Sequence, residues 1–425
     1  MLKRLLKHVA LRNVLLLYLV QFSSYVMPLI TLPYLSRVLS PEKFGLIAYA
    51  QAFMWYFITL TDYGFNLSAT RQIAIHQQDT EEVSRIFSTV MVCKVLLTLL
   101  GLIILMTTVL AIPKLRPDWL LFLLAFLSVV GNCLFPLWLF QGLQKLGHAA
   151  IRDFLAKIVG IVALLSLVHS DKDYLLVAGI QGGSAALAGL IGLACVPLAC
   201  PVLRWRTPGW RQIRQALVTG WPLYLSLAAS SFAGVTNIML LGLFSTPAEV
   251  GYYSGAQRIV GALKSLVGPV VTAVYPMVSL RAGRSKLEAL SFVRKYAFLL
   301  SSPFLVMGIL VMTAGPWIVR VALGAKYDPS IILMQIMAMS PFLVALSHVY
   351  STYYMLACGY DRAWMRIMLM ASILNFVLLF PLLYLVRGSL ALTIAGVAIE
   401  VISLLLYWNF YRKNAPRDML AVTAA

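Results

Sequence analysis

Pro41-Glu-Lys-Phe-Gly-Leu-Ile-Ala-Tyr-Ala-Gln51 returns later in the same chain as Pro247-Ala-Glu-Val-Gly-Tyr-Tyr-Ser-Gly-Ala-Gln257. Proline, glycine, alanine and glutamine recur at four equivalent places, at an offset of 206 residues. Tyr18-Leu19 and Tyr224-Leu225 match at the same offset. Gly142-Leu-Gln-Lys145 and Gly359-Tyr-Asp-Arg362 each follow an apolar block of the same rank in its half. Each match is weak alone. Their common order predicts two halves built on one plan.

The sequence around these matches is mostly apolar. Of 425 residues, 61% are hydrophobic and 12% are charged. A soluble domain is about half apolar and about a quarter charged, so this chain reads as a membrane protein. The apolar residues come in blocks near the length that crosses a bilayer as helix. Backbone amides in lipid need internal partners, so such blocks are helical. The alternating segments of a barrel are not seen. The expected spans are 13–35, 44–61, 87–112, 119–140, 152–168 and 174–200, then 218–243, 251–275, 297–322, 331–356, 364–386 and 390–411. The 62–86 connector is partly amphipathic and could hold a short surface helix.

Six spans per half bring both halves into the membrane from the same side. That is a parallel repeat about an axis along the membrane normal, with a site expected between the halves. The predicted fold is therefore an all-α membrane protein of about twelve transmembrane helices, in two pseudo-symmetric six-helix lobes around a central cavity. Residues 1–203 form the first lobe, 204–217 a basic linker, 218–412 the second lobe and 413–425 a tail.

The net charge is +19. Its basic residues cluster in short connectors, so it reads as a topology signal rather than a nucleic-acid surface. With the N-terminus inside, 22 Lys and Arg fall on the cytoplasmic side and 7 outside. That bias predicts both termini in the cytoplasm. Met1-Leu-Lys-Arg-Leu-Leu-Lys-His8 resembles a signal-peptide start, but the apolar stretch runs on to Leu35 and is read as a retained first helix.

The five cysteines, Cys93, Cys133, Cys195, Cys200 and Cys358, lie in or beside apolar blocks without a CxxC spacing. Neither a disulfide framework nor a metal site is expected. No phosphate-binding glycine loop, zinc-hydrolase motif, nucleophile elbow or paired loop carboxylates occur. No enzyme cofactor is expected.

Charges inside the spans carry the functional signal. Lys94, Lys157, Arg258, Lys264 and Arg320 are basic, and the one acid well inside a span is Glu400. Intramembrane charges are costly and face bundle interiors or wet cavities. Five bases against one acid suit a cavity that receives an anion. Lys157 and Arg320 are near enough to span ends to snorkel. Arg258, Lys264 and Lys94 are the candidate cavity cations, with the repeat-matched Gln51 and Gln257 beside them. For each base, pairing with another helix is the competing reading. Glu400 is either a coupling site for H+ or Na+ or the counter-charge of a buried base. Pro28 and Pro33 in span one, and Gly268 and Pro269 in span eight, weaken helix hydrogen bonding; they mark hinges or static kinks.

Leu32-Pro-Tyr-Leu-Ser-Arg-Val-Leu-Ser-Pro-Glu-Lys-Phe-Gly-Leu-Ile-Ala-Tyr-Ala-Gln51 resembles the start of the Wzx-type polysaccharide-unit flippases. Thr61-Asp-Tyr-Gly-Phe-Asn-Leu-Ser-Ala-Thr-Arg71 looks like that family's connector after span two, which singles out Asp62, Asn66 and Arg71. Phe135-Pro-Leu-Trp-Leu-Phe-Gln-Gly142 is similar to its span-four signature. The family lies within the multidrug/oligosaccharidyl-lipid/polysaccharide exporter superfamily. The likeness is sharp over residues 20–145 and looser through the second half, where Tyr253-Ser-Gly-Ala-Gln-Arg258 is collinear. The family often carries Lys where this chain has Arg258, which keeps charge but changes geometry.

This resemblance implies movement of an undecaprenyl-pyrophosphate-linked oligosaccharide across the bacterial inner membrane, from cytoplasmic to periplasmic leaflet. The unit would belong to O-antigen, lipopolysaccharide or another cell-envelope glycan. A polysaccharide polymerase and a chain-length regulator are the implied partners. Within the superfamily, a lipid II flippase and a drug/cation antiporter are the alternatives. A membrane polymerase or ligase is the alternative from another class. Such an enzyme should expose a sizeable outer loop, and the outward connectors here reach only about eight residues.

Overall fold

The computed structural model describes residues 30–386 and 388–423. Among these residues the chain is helical throughout, with no strand. Among the described residues nine helices are long and apolar enough to cross a membrane: Pro41–Ile75, Thr80–Ala111, Arg116–Gly142, Asp171–Ala199, Pro247–Arg284, Lys286–Ala322, Ser330–Leu356, Asp361–Leu385 and Gly388–Pro416. Each coincides with one expected span, which lies inside the helix or overruns it by a single residue at the C-terminal end. The other three expected spans, 13–35, 152–168 and 218–243, fall partly outside the described residues or side chains. Within them the helices Leu146–Leu167 and Trp210–Phe244 and the helical residues 30–38 are seen. The retained first helix and Pro28 lie outside the described residues.

Local chemistry marks the helix starts. Asp79 caps span three by accepting from Glu81 N at 3.1 Å and Glu82 N at 3.0 Å. Thr246 accepts from Glu249 N at 3.3 Å, and Pro247 follows where its missing N–H costs nothing. At the start of span six, Asp173 accepts from His169 N, Ser170 N and the Ser170 hydroxyl.

Several helices outrun their apolar blocks. Lys286–Ala322 has 37 residues, about 55 Å of helix against a hydrocarbon layer of about 30 Å. The expected span began at 297 because hydropathy marks only the buried length. The turns before it, with Lys286, Glu288, Arg294 and Lys295, continue the helix into polar surroundings. The linker expected at 204–217 is likewise half helix, since span seven begins at Trp210.

Packing divides the chain into two units. One holds residues up to Leu39 and Leu46–Met239; the other holds Ser40–Gly45 and Leu240 onward. The lobe limits 1–203 and 218–412 follow the order of spans, and the two criteria part at span seven. In the first unit Tyr63 stacks on Tyr224 of span seven at 4.9 Å, and Tyr56 hydrogen-bonds Thr236. Arg204 N and Arg206 N donate to Ser84 at 3.1 Å and Ser88 at 2.9 Å, pinning the linker to span three. Spans four and six meet through small residues. A Cβ on Gly131 would lie 2.3 Å from Ala185 O, and one on Gly189 2.4 Å from Gly131 O.

In the second unit the two repeat segments meet each other. A Cβ on Gly45 would lie 1.8 Å from Pro247 O, and one on Gly251 2.0 Å from Pro41 O. The contact is reciprocal: the glycine of each copy takes the backbone of the other copy's proline. Only glycine permits this approach. Phe44, beside it, is buried with its ring edge-on to Tyr327 at 5.9 Å.

Gly45→Ala and Gly251→Ala should each lower stability by about 1–3 kcal/mol through overpacking. The double variant should lose less than the sum, because one separation of the segments relieves both clashes. Gly261→Ala, with nothing within 4 Å of its added carbon, should be neutral or stabilising. Thermal unfolding in detergent measures all four.

Candidate functional site

The Pro247–Ser265 helix carries Arg258 two turns before Lys264, and the structure sends them to different neighbours. The Arg258 guanidinium lies over the Phe44 ring, 5.0 Å from its centroid. Tyr252 and Phe44 both set edges against Tyr327, at 6.1 and 5.9 Å. A partly buried guanidinium on an aromatic face gains about 0.5–2 kcal/mol while keeping its donor fork in plane. Gln257 is half-buried beside it.

Lys264 forms an ion pair with Glu400 of span twelve. Both are partly buried, at 33% and 18% side-chain exposure. Of the two readings of Glu400, the counter-charge is the one seen. Its second oxygen, Oε2, is buried with no hydrogen-bond partner among the described residues.

Lys94 is 1% exposed. Its Nζ donates to Asn132 O at 2.9 Å and reaches Asp62 Oδ1 at 3.2 Å. Of the two readings of Lys94, the pairing with another helix is the one seen: its charge is answered inside the first unit. Its acid comes from the end of span two. Asp62 ends the Pro41–Asp62 helix within reach of span three rather than standing in a loop. Tyr63 and Gly64 then turn the chain at φ 43 and 77. Gly64 N-caps the surface helix Phe65–Ile75, which buries Phe65, Ala69 and Ile73. The family-like Asp-Tyr-Gly is thus an ion-pair partner followed by a left-handed turn.

The remaining candidates are dispersed. Gln51 donates to Gln181 at 2.5 Å and lines a small cleft of about 80 Å³ with Ser128 and Gly182. Asn66 accepts through its carbonyl from Thr70 at 2.7 Å, and Arg71 is exposed on the surface helix. Pro33 lies in the helical residues 30–38. Span eight breaks at Leu266, so Gly268 and Pro269 open the first turn of the helix Val267–Arg284. Arg320 makes a two-pronged pair with Asp328, both contacts 3.2 Å, at an exposed helix end.

One feature escaped the sequence reading. A cavity of about 280 Å³ opens in the first unit between the surface helix and the starts of spans three and seven. Gln72, His76, Thr89, Gln212, Gln215 and Thr219 line it. Polar residues at connector ends gave no separate signal, because that is where polar residues ordinarily lie.

The family described as polysaccharide biosynthesis protein matches residues 10–280. This chain belongs to that family. It is 31% identical over 412 residues to an Escherichia coli (strain K12) protein named "Putative O-antigen transporter", covering 95% of this chain and 97% of that one. A Shigella dysenteriae protein of the same name is 28% identical over 400 residues, covering 93% and 98%. Among solved structures, a lipid II flippase, MurJ, in an inward closed conformation shares the fold at TM-score 0.72 and 13% identity, covering 94% of this chain and 87% of that chain. An inward-facing multidrug resistance MATE family transporter does so at 0.70 and 13%, covering 92% and 95%. The Wzx-type resemblance and the two-lobe exporter fold hold, and this member of the polysaccharide biosynthesis family is a multi-pass membrane transporter rather than an enzyme.

Within this family member the Lys94–Asp62 pair is the clearest structural charge. Asp62→Asn should cost about 3 kcal/mol or more, since it leaves the buried Lys94 without its acid, and Lys94→Met should cost less, since the Asp62 side chain is 21% exposed. The Asp62→Asn/Lys94→Met double should recover much of that loss. Detergent-solubilised yield and melting temperature provide the readout; additive losses would show that the two side chains do not interact.

Proposed function

We propose that the protein flips an undecaprenyl-pyrophosphate-linked oligosaccharide, an O-antigen unit or a related glycan repeat, from the cytoplasmic to the periplasmic leaflet of a bacterial inner membrane. Both termini are cytoplasmic in this reading, as the Lys and Arg bias supports. The two lobes alternate access to the two sides. A polysaccharide polymerase and a chain-length regulator act next on the product.

Arg258 is the observation that carries the reading. A guanidinium placed over Phe44 inside an apolar span puts a permanent positive charge where an anionic pyrophosphate would be attracted. The acids that pair with the span lysines favour an anionic cargo too. Asp62 and Glu400 are each engaged by a lysine, which argues against a carrier of cationic drugs. The full-length relatives named for O-antigen favour a glycan unit over lipid II. Coupling to H+ or Na+ belongs to the same proposal, with Glu400 as its acid: an ion that displaces Lys264 would change which helices are tied together.

Arg258→Ala should cut surface glycan by about tenfold or more in a flippase-null strain, at unchanged protein level, from loss of a charge-assisted contact. Arg258→Lys should keep part of the activity. Normal glycan from a well-expressed Arg258→Ala variant would remove Arg258 from the cargo site.

Glu400→Gln should impair transport or alter its pH dependence, read in the same strain at several pH values. Full activity at every pH would take Glu400 out of the mechanism.

A further inference from the structure

The cavity of about 280 Å³ beside the surface helix has a mostly polar lining. Three side-chain amides, Gln72, Gln212 and Gln215, join two hydroxyls, Thr89 and Thr219. An amide carries both a carbonyl acceptor and N–H donors, and a hydroxyl carries both on one atom. The Thr89 hydroxyl donates to Arg85 O at 2.8 Å and keeps its acceptor side, and Gln212 Oε1 accepts from Gly209 N at 3.1 Å and keeps its N–H donors, so the lining still offers both kinds of group. The matching ligand surface also offers donors and acceptors from the same atoms, as the ring hydroxyls of a sugar do. Ile86, Val90 and Ala216 add an apolar wall suited to the C–H face of a pyranose.

The charges in the lining point away from phosphate. Arg85 and Glu82 both border the cavity, and they neutralise each other at 2.5 Å. Nδ1 of His76 lies 2.9 Å from the Gln72 carbonyl, a contact that favours the tautomer with its proton on Nδ1. The lining therefore balances its own charge. It differs in kind from the span-eight position, where Arg258 stands on Phe44. The two motifs that build the cavity, the start of span three and the start of span seven, are also tied together. Arg206 pairs with Glu81 at 2.6 Å, and its N–H is held by Ser88. The walls are thus braced without a ligand.

We infer that this cavity is a recognition site for a neutral pyranose of the glycan moiety, separate from the cationic position that takes the pyrophosphate. The inference rests on the flippase reading and on its cytoplasmic placement of the 62–86 and 201–217 connectors. On that placement the cavity opens on the side where the lipid-linked unit is made. A sugar read there selects the unit before the pyrophosphate is engaged. Its volume admits a single ring, so selection acts on one residue of the repeat rather than on its length.

Saturation-transfer NMR on the purified full-length protein tests this without requiring transport. The probes are the methyl glycosides of glucose, galactose, rhamnose and N-acetylglucosamine, with inorganic pyrophosphate as competitor. At least one glycoside should give a saturable signal that equimolar pyrophosphate does not displace. Gln72→Leu/Gln215→Leu, at two exposed positions, should weaken that signal about tenfold or more, the equivalent of one or two lost hydrogen bonds. No signal from any glycoside, a signal unchanged in the double variant, or displacement by pyrophosphate would each overturn the assignment. Failure of the Arg258 variants in the complementation assay would leave this measurement untouched, so the two readings fall separately.

Discussion

Inside a hydrocarbon layer only the protein itself can answer a charge, and the placement of every helix in this chain is subject to that demand. Lys94 meets it with Asp62 and the Asn132 carbonyl. Lys264 meets it with Glu400. In each case a lysine on one span is matched by an acid on another, so the pair sets which helices lie side by side and at what rotation. In the first unit the lysine is 1% exposed and its acid 21%, so the cation has no solvent to turn to, which suits a permanent fastening. In the second unit the lysine is 33% exposed, and the acid keeps a second oxygen without a hydrogen-bond partner among the described residues. That difference fits a fastening which can be exchanged.

Arg258 stands apart from both lysines. Its guanidinium rests on a ring, Phe44, that enters the second unit with the segment Ser40–Gly45. The same short segment supplies Gly45 and Pro41 to the reciprocal backbone contact with Pro247 and Gly251. The repeat is therefore more than a trace of common origin. Its two copies touch at their glycines, and the cationic position is built directly on that touch. A change at Gly45 or Gly251 would displace Phe44 and with it the surface on which Arg258 is oriented.

The family-like connector shows how one short motif serves several ends. Asp62 answers Lys94, Tyr63 and Gly64 reverse the chain with positive φ, and Phe65 begins a helix that lies along the first unit. That helix then presents Gln72 and His76 to the polar cavity. An ion pair, a left-handed turn and a sugar-sized recess follow from about fifteen consecutive residues.

Membrane class, the order of the spans, the two-copy plan and the family were all legible in the sequence. Each rests on a local property: the length of an apolar block, the residue types at a helix end, or a motif such as Pro41 to Gln51. Lys94 and Lys264 were visible as bases in spans, and so was Glu400 as an acid. Their partners were not, because a helix in lipid is apolar on nearly every face and carries little pattern to show which way it turns. Asp62 lies 32 residues from Lys94, and Glu400 lies 136 from Lys264. Span seven's attachment to the first unit, the meeting of Gly45 with Gly251, and the gathering of Gln72 with Gln212 and Gln215 are decisions of the same kind. They depend on which helices become neighbours, and only packing in three dimensions settles that.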